Sequence, residues 1–361
     1  MSLSLHEFHA GFNARFGELS GAEVVSNYGD VLAEHAALRE AAGVLDLSFR
    51  SRLCLLSADR KKFLNGQVTN DVNKLKIGEG CYAALITAKG KLQSDLNVFV
   101  LENEILLDFE PGLADAVKER LEKYVIAEDV QVVDVAPHYG LLSVQGPKST
   151  AVVEALQLGV PLPPKTFSLA KVADATLGEI YMTNLPRAGA SGFDLFVPTN
   201  SLGAVADKLI AGAKNLGGRA CGWEALEIAR IEAGIPRFGV DMDETNLAPE
   251  AIEARAISYA KGCYIGQEVI ARIRTYGQVA KSLRGLRLAD DLKTLPVKGD
   301  KLFLGEKEIG YITSAIFSPA FKKNIALGYV RKEANQIGTE LKLKTAAAES
   351  PVKIVELPFR F

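Results

Sequence analysis

Past Gly277 the chain breaks into short strand-length runs at residues 283–288, 301–304, 308–313, 326–330, 340–344 and 352–357, with glycine and charged turns between them. Strands this short leave open edges in a flat sheet, and closing the sheet on itself removes them. The spacing predicts a small all-β barrel of about 80 residues ending in an ordered strand. A linker at 278–282 sets the expected boundary, giving a region 1–278 and a barrel 279–361.

The region before the linker reads differently. Residues 6–45 read as helical segments, with a helix over 34–42 stopping at Gly43. A strand is expected at 52–56, then a helix over 58–65 with Ser57 as N-cap and Gly66 closing it. Strands at 81–87 and 93–101 flank the turn A-K-G-K (88–91) and make a hairpin. A strand at 105–109 and an amphipathic helix with Leu113, Val117, Leu121 and Tyr124 on one face complete a first α+β set. A second set comes next, with strands at 141–145, 179–183 and 193–198 and helices at 148–156 and 202–216. The fold class is therefore α+β, two related subdomains followed by a barrel.

Composition narrows the function. With 361 residues the chain is long enough for two or three domains. A net charge of −2 gives no global pull toward nucleic acid or an anionic membrane, so neither is an expected partner. No apolar run approaches the roughly 20 residues of a membrane helix, and the first residues lack a basic, then apolar, leader. Cys54, Cys81, Cys221 and Cys263 are scattered without a C-x-x-C pair, so no metal site is expected and a reducing cytoplasm is.

One stretch carries candidate chemistry: K-G-C-Y-I-G-Q-E-V-I-A-R-I-R-T-Y-G-Q, residues 261–278. Cys263 lies just ahead of a helix starting at Gln267, near the positive end of its dipole and close to Lys261, and both favour a thiolate. A lone cysteine is more often a small buried hydrophobe than a nucleophile. Between 255 and 287, seven basic residues face Glu268 alone, a bias suited to an acidic partner or to a solvated face.

K-G-C-Y-I-G-Q-E (261–268) resembles the signature of the YgfZ family of folate-binding proteins, relatives of the glycine-cleavage T-protein, an aminomethyltransferase. Further segments resemble landmarks of the same group in the same order: A-G-V-L-D-L-S (42–48), F-L-x-x-x-V-T-N-D-V (63–72), Q-G-P-K (145–148), R-I-E-A-G (230–234), G-V-D-M-D-E (239–244) and I-T-S-A-x-x-S-P (312–319). The resemblance implies two α+β subdomains around a central cavity, with the barrel appended.

It also implies a site. The G-K-L-Q-S-D-L stretch (90–96) matches a T-protein motif whose second aspartate faces the reactive nitrogens of tetrahydrofolate; Asp95 keeps that place and Ser94 replaces the first aspartate. Tyr82 matches a tyrosine of the folate pocket, and G-F-D-L (192–195) places Asp194 at the pterin-recognising carboxylate. The T-protein arginine ahead of R-I-E-A-G falls on Leu226, leaving Arg187 and Arg230 as substitutes or as structural ion pairs.

The resemblance thus implies a monomer that binds tetrahydrofolate or a one-carbon derivative and supports iron–sulfur cluster assembly or repair, and through it tRNA-modifying radical enzymes. Cys263 is then the functional thiol, paired with Asp95 as the catalytic candidates, and the partners are folate and iron–sulfur client or assembly proteins. The alternative is a folate-dependent aminomethyltransferase.

Overall fold

The computed structural model describes residues 2–277, 279–346 and 348–360. Gln278, the expected end of the first region, lies outside the described residues. The chain forms two compact units, 1–83 with 94–229, and 84–93 with 230–361.

The first unit is built on two sheets. In the six-stranded one, the order is Leu169–Asp174, Gly178–Asn184, Gly192–Pro198, Tyr139–Gln145, Gly43–Asp46 and Arg219–Ala220. All neighbours are antiparallel except the last pair, where Ala220 runs parallel beside Val44. Alternation along its strands divides the side chains between two layers. Leu142, Val144, Leu195 and Val197 pack on one side with Val152, Leu202, Val205 and Leu209 of the helices Ser149–Glu154 and Leu202–Asn215. Leu141 and Phe196 point the other way, into a cluster with Cys54, Phe99 and Leu106.

Those last three belong to the five-stranded sheet, ordered Gly80–Ile86, Leu92–Val100, Glu104–Phe109, Ser51–Leu56 and Gln131–Asp134. Its first hairpin turns at Gly90 with φ 74°, and the tip, 84–93, groups with the second unit.

Two local expectations fail for identifiable reasons. Residues 15–27 form a β-hairpin, Arg15–Leu19 with Ala22–Asn27, rather than helix. Ser20 and Gly21 take φ 51° and 79°, the left-handed pair of a tight hairpin turn, and Val24 and Val25 favour the extended chain. Ser57 does not cap a helix: it has φ 77°, Asp59 takes the cap position, and the helix Arg60–Gln67 runs through Gly66. The helix Trp223–Glu232 has no counterpart in the sequence reading.

In the second unit, six strands close a barrel in the order Lys281–Leu288, Lys323–Arg331, Lys307–Ser318, Lys301–Leu304, Glu340–Lys344 and Glu349–Val355. Leu286, Leu302, Ile309, Ile312, Val330, Leu343 and Ile354 fill it. A bulge between Ile312 and Ser314 turns both Thr313 and Ser314 hydroxyls onto Asp241, each at 2.6 Å. Residues 230–277, placed with the first region in the sequence reading, group here with the barrel.

Candidate functional site

The strand Leu92–Val100 alternates sharply. Leu92, Ser94, Leu96 and Val98 are fully buried, while Gln93, Asp95 and Asn97 share the other, half-buried face. Asp95 therefore projects from the face opposite the one that seats Ser94. The buried phenol of Tyr82, on the neighbouring strand, donates to Asp95 Oδ2 at 2.8 Å. Asp95 Oδ1 is buried and has no hydrogen-bond partner among the described residues. Burial, and then the negative charge of Glu110, push the Asp95 carboxyl up to about 6, against the opposing pull of Tyr82 and Arg50. An under-satisfied carboxylate oxygen costs about 1–3 kcal/mol, which a ligand N–H would recover.

Behind this face runs a buried polar seam. Asn97 donates to Asp108 Oδ2 at 2.8 Å. Arg50 grips Asp108 through two nitrogens, at 2.8 and 3.2 Å, and Glu110 through a third at 2.6 Å. Arg187 bridges Asp108 at 2.7 Å and Asp194 at 2.6 Å, with its Nε also donating to Asp194 at 2.8 Å. Ser143 completes Asp194 at 2.7 Å. Burial would raise the Asp108 carboxyl, but Arg187 and Arg50 outweigh it and hold it below the usual carboxylate range. For Asp194, burial prevails over Arg187 and pushes the carboxyl up.

Arg187 is steered by Gln145. Its Oε1 accepts from the Arg187 N–H at 2.8 Å, while its amide donates to Ser143 and the Leu185 carbonyl. A Cβ at position 192 would stand 2.1 Å from that Oε1, so only glycine leaves room for the Gln145 amide.

The structure thus joins Tyr82 to Asp95 and Arg187 to Asp194 within the first unit. Both oxygens of Asp194 are engaged and it is fully buried, whereas the Arg187 side chain keeps 11% of its surface exposed. Sequence reasoning missed Arg50, Asp108 and Glu110. Their signal was charge placed inside apolar strand runs, R-S-R-L at 50–53 and L-L-D-F-E at 106–110, since a buried charge needs a partner.

The other candidates lie in the second unit. Arg230 is buried; its guanidinium meets Asp241, the Ser314 hydroxyl at 3.1 Å and the Ile235 carbonyl at 3.2 Å. Leu226, at the T-protein arginine's place, is a core residue of the first unit. Cys263 is exposed, whereas Cys54 and Cys221 are buried and burial pushes both thiols up. Its loop leads into the helix Gln267–Tyr276 through Gly266, at φ 82°, where a Cβ would stand 2.5 Å from the Thr87 carbonyl. The basic run is locally occupied: Arg272 pairs with Glu268 at 2.8 Å, Arg274 lies 4.0 Å over Tyr259 and Arg287 pairs with Asp290 at 3.2 Å.

A two-sheet α+β unit with a carboxylate aimed from one hairpin, continued by a six-stranded barrel, defines a fold class with known members. The GCVT N-terminal domain model matches residues 5–261, and the glycine cleavage T-protein C-terminal barrel domain model matches residues 281–360. The chain belongs to the glycine-cleavage T-protein family. It is 28% identical over 366 residues to the aminomethyltransferase of Symbiobacterium thermophilum, covering 98% of this chain and 96% of the relative. It is also 28% identical over 383 residues to that of Corynebacterium jeikeium, covering 99% and 97%. The crystal structure of glycine cleavage system aminomethyltransferase T from Bartonella henselae superposes with a TM-score of 0.89 at 26% identity, over 100% of this chain and 98% of that one.

Proposed function

We propose that this chain binds tetrahydrofolate, or a one-carbon derivative of it, at the Asp95–Tyr82 face. The observation that carries this reading is the buried Asp95 Oδ1, without a partner among the described residues, an acceptor suited to an N–H of a reduced pterin. Bound there, tetrahydrofolate supplies the nitrogens that carry a one-carbon unit. Tyr82 fixes the orientation of the carboxylate, and Asp95 receives the ligand's N–H and offsets positive charge that develops on nitrogen. Arg187, held by Asp194 and Asp108, offers its exposed edge to the ligand's acceptors, so Asp194 acts by holding Arg187.

For the role that folate binding serves, we favour YgfZ-type support of iron–sulfur assembly or repair, with Cys263 as the functional thiol. The octet K-G-C-Y-I-G-Q-E, the exposure of Cys263 and the apolar Leu226 in place of the T-protein arginine support it. The full-length similarity to aminomethyltransferases supports a second reading, one-carbon transfer in glycine cleavage. Two assays separate them. Rescue of a strain lacking its YgfZ-type protein by wild type, but not by Cys263→Ala, supports the first. Turnover with the remaining glycine-cleavage proteins, unaffected by Cys263→Ala, supports the second and removes the thiol from the mechanism.

A further inference from the structure

The two sheets of the first unit enclose a cleft that neither Asp95 nor Tyr82 lines. Its floor is the five-stranded sheet. Arg52 and Cys54 alternate onto one face of Ser51–Leu56, and in the antiparallel register with Glu104–Phe109 Cys54 lies across from Leu106 and Leu56 across from Glu104. Arg52 and Glu104 thus stand at opposite ends of the floor, roughly 13 Å apart along the strands, and both line the one space. The facing wall is aromatic: Tyr139, Tyr181 and Phe196 of the six-stranded sheet, with the two tyrosine rings edge to face at 5.7 Å. The cleft measures about 350 Å³ with its mouth included, and its inner part admits only a few non-hydrogen atoms.

Arg52 is the anomaly in this cleft. It is buried, and among the described residues its guanidinium bonds only to backbone carbonyls: Arg50 at 2.9 Å, Ser48 at 3.0 Å, Tyr139 at 2.9 Å and Ala136 at 3.4 Å. Its Nε has no partner among them. Burial pulls the guanidinium down to about 10, and Asp108, Asp46 and Asp134 oppose this only from beyond ion-pair distance, so it stays charged at neutral pH. A buried cation that no carboxylate meets is costly. The other end of the cleft has the opposite character. Glu104 brings negative charge, and the Lys171 ammonium already lies 5.4 Å from the centre of the Tyr181 ring, so this wall accepts a cation.

We propose that the cleft binds a small zwitterion, an amino acid whose carboxylate meets Arg52 and whose ammonium meets Glu104 and the tyrosine faces. Each charge of such a ligand finds its opposite, and the ligand adds no net charge to the interior between the sheets. None of the cleft's residues belongs to the Asp95–Tyr82 face, so the inference stands apart from the folate reading.

The test is an NMR titration of the intact, folate-free protein carrying ring-labelled tyrosine, with the two signals assigned by Tyr139→Phe and Tyr181→Phe. Glycine, β-alanine and 4-aminobutyrate vary the separation of the two charges; acetate carries the carboxylate alone and methylamine the ammonium alone. The expected result is saturable movement of both rings with at least one of the three amino acids, at a dissociation constant in the millimolar range or below, as so few atoms allow. Acetate and methylamine should bind at least about fivefold more weakly. Glu104→Gln removes the charge and keeps the shape, and it should weaken binding of the amino acid about tenfold without weakening that of acetate. Rings that move with none of the three amino acids overturn the proposal whether or not the variant folds. So does acetate or methylamine binding as tightly as the best of the three, or a folded Glu104→Gln that binds that amino acid as wild type does.

Discussion

The Tyr82 hydroxyl donates to Asp95 Oδ2 across neighbouring strands at 2.8 Å, while the carboxylate's other oxygen is buried without a partner among the described residues. A carboxylate half satisfied by the protein is oriented and still has an acceptor for a ligand. Tyr82→Phe removes the orienting bond and keeps the ring. A charge-assisted bond of this kind contributes about 1.5 kcal/mol, so tetrahydrofolate affinity should fall roughly tenfold, and Tm should also drop because Asp95 Oδ2 loses its donor. Calorimetry beside a thermal melt checks both.

Asp95 also leaves a mark on stability. Its folded-state value, about 6, lies above its ordinary 3.8, so in that interval the folded chain holds a proton that the unfolded chain has released. The unfolded state binds fewer protons there, and stability falls as pH rises through the window. Asp95→Asn has nothing to ionise. It should match wild type near pH 4 and exceed it by roughly 2 kcal/mol near pH 7.5. Urea denaturation of both proteins at the two pH values measures the difference, and a variant less stable than wild type at pH 7.5 contradicts the account.

Arg187 separates structure from binding differently. It is the bridge between two buried carboxylates, and truncation to Ala takes the cationic partner from Asp194 while Asp108 keeps Arg50. Removing one partner of a buried ion pair costs about 3–5 kcal/mol, so Arg187→Ala should melt far below wild type. Arg230→Ala, which strips Asp241 of its guanidinium, should cost a similar amount, and without lowering folate affinity in the fraction that remains folded. Differential scanning calorimetry reads both.

Thiol reactivity offers a simple check on Cys263. It is exposed, while burial raises Cys54 and Cys221. Brief treatment of the native protein with iodoacetamide should label Cys263 ahead of those two, as peptide mapping would show. Cys263→Ser should change stability by less than about 0.5 kcal/mol, as expected for an exposed loop position.

Much of this architecture was legible in the chain because its signals are local. The barrel strands at 301–304 and 340–344 coincide with the expected runs, and the hairpin around Gly90 arises from alternation broken by A-K-G-K. Where the reading failed, the deciding signal was a backbone conformation rather than a composition: Ser20 and Ser57, both at positive φ, look like ordinary polar residues in the sequence. Asp95, Tyr82, Asp194 and Arg187 were singled out as candidates through motif order. Their arrangement was not, because Arg50 meets Glu110 and Arg187 meets Asp108 across long sequence separations, and only the closed sheets bring them together. Arg230, also inside a recognisable motif, pairs with Asp241 and the Ser314 hydroxyl across the fold.

The most direct measurement is a calorimetric titration of tetrahydrofolate into wild type and Asp95→Asn at pH 7.5, under reducing conditions. Wild type should bind saturably at one site, and the variant at least about tenfold more weakly while remaining folded. Equal affinity in the two proteins, or no heat from wild type, would contradict the assignment of Asp95 as the carboxylate that receives the ligand.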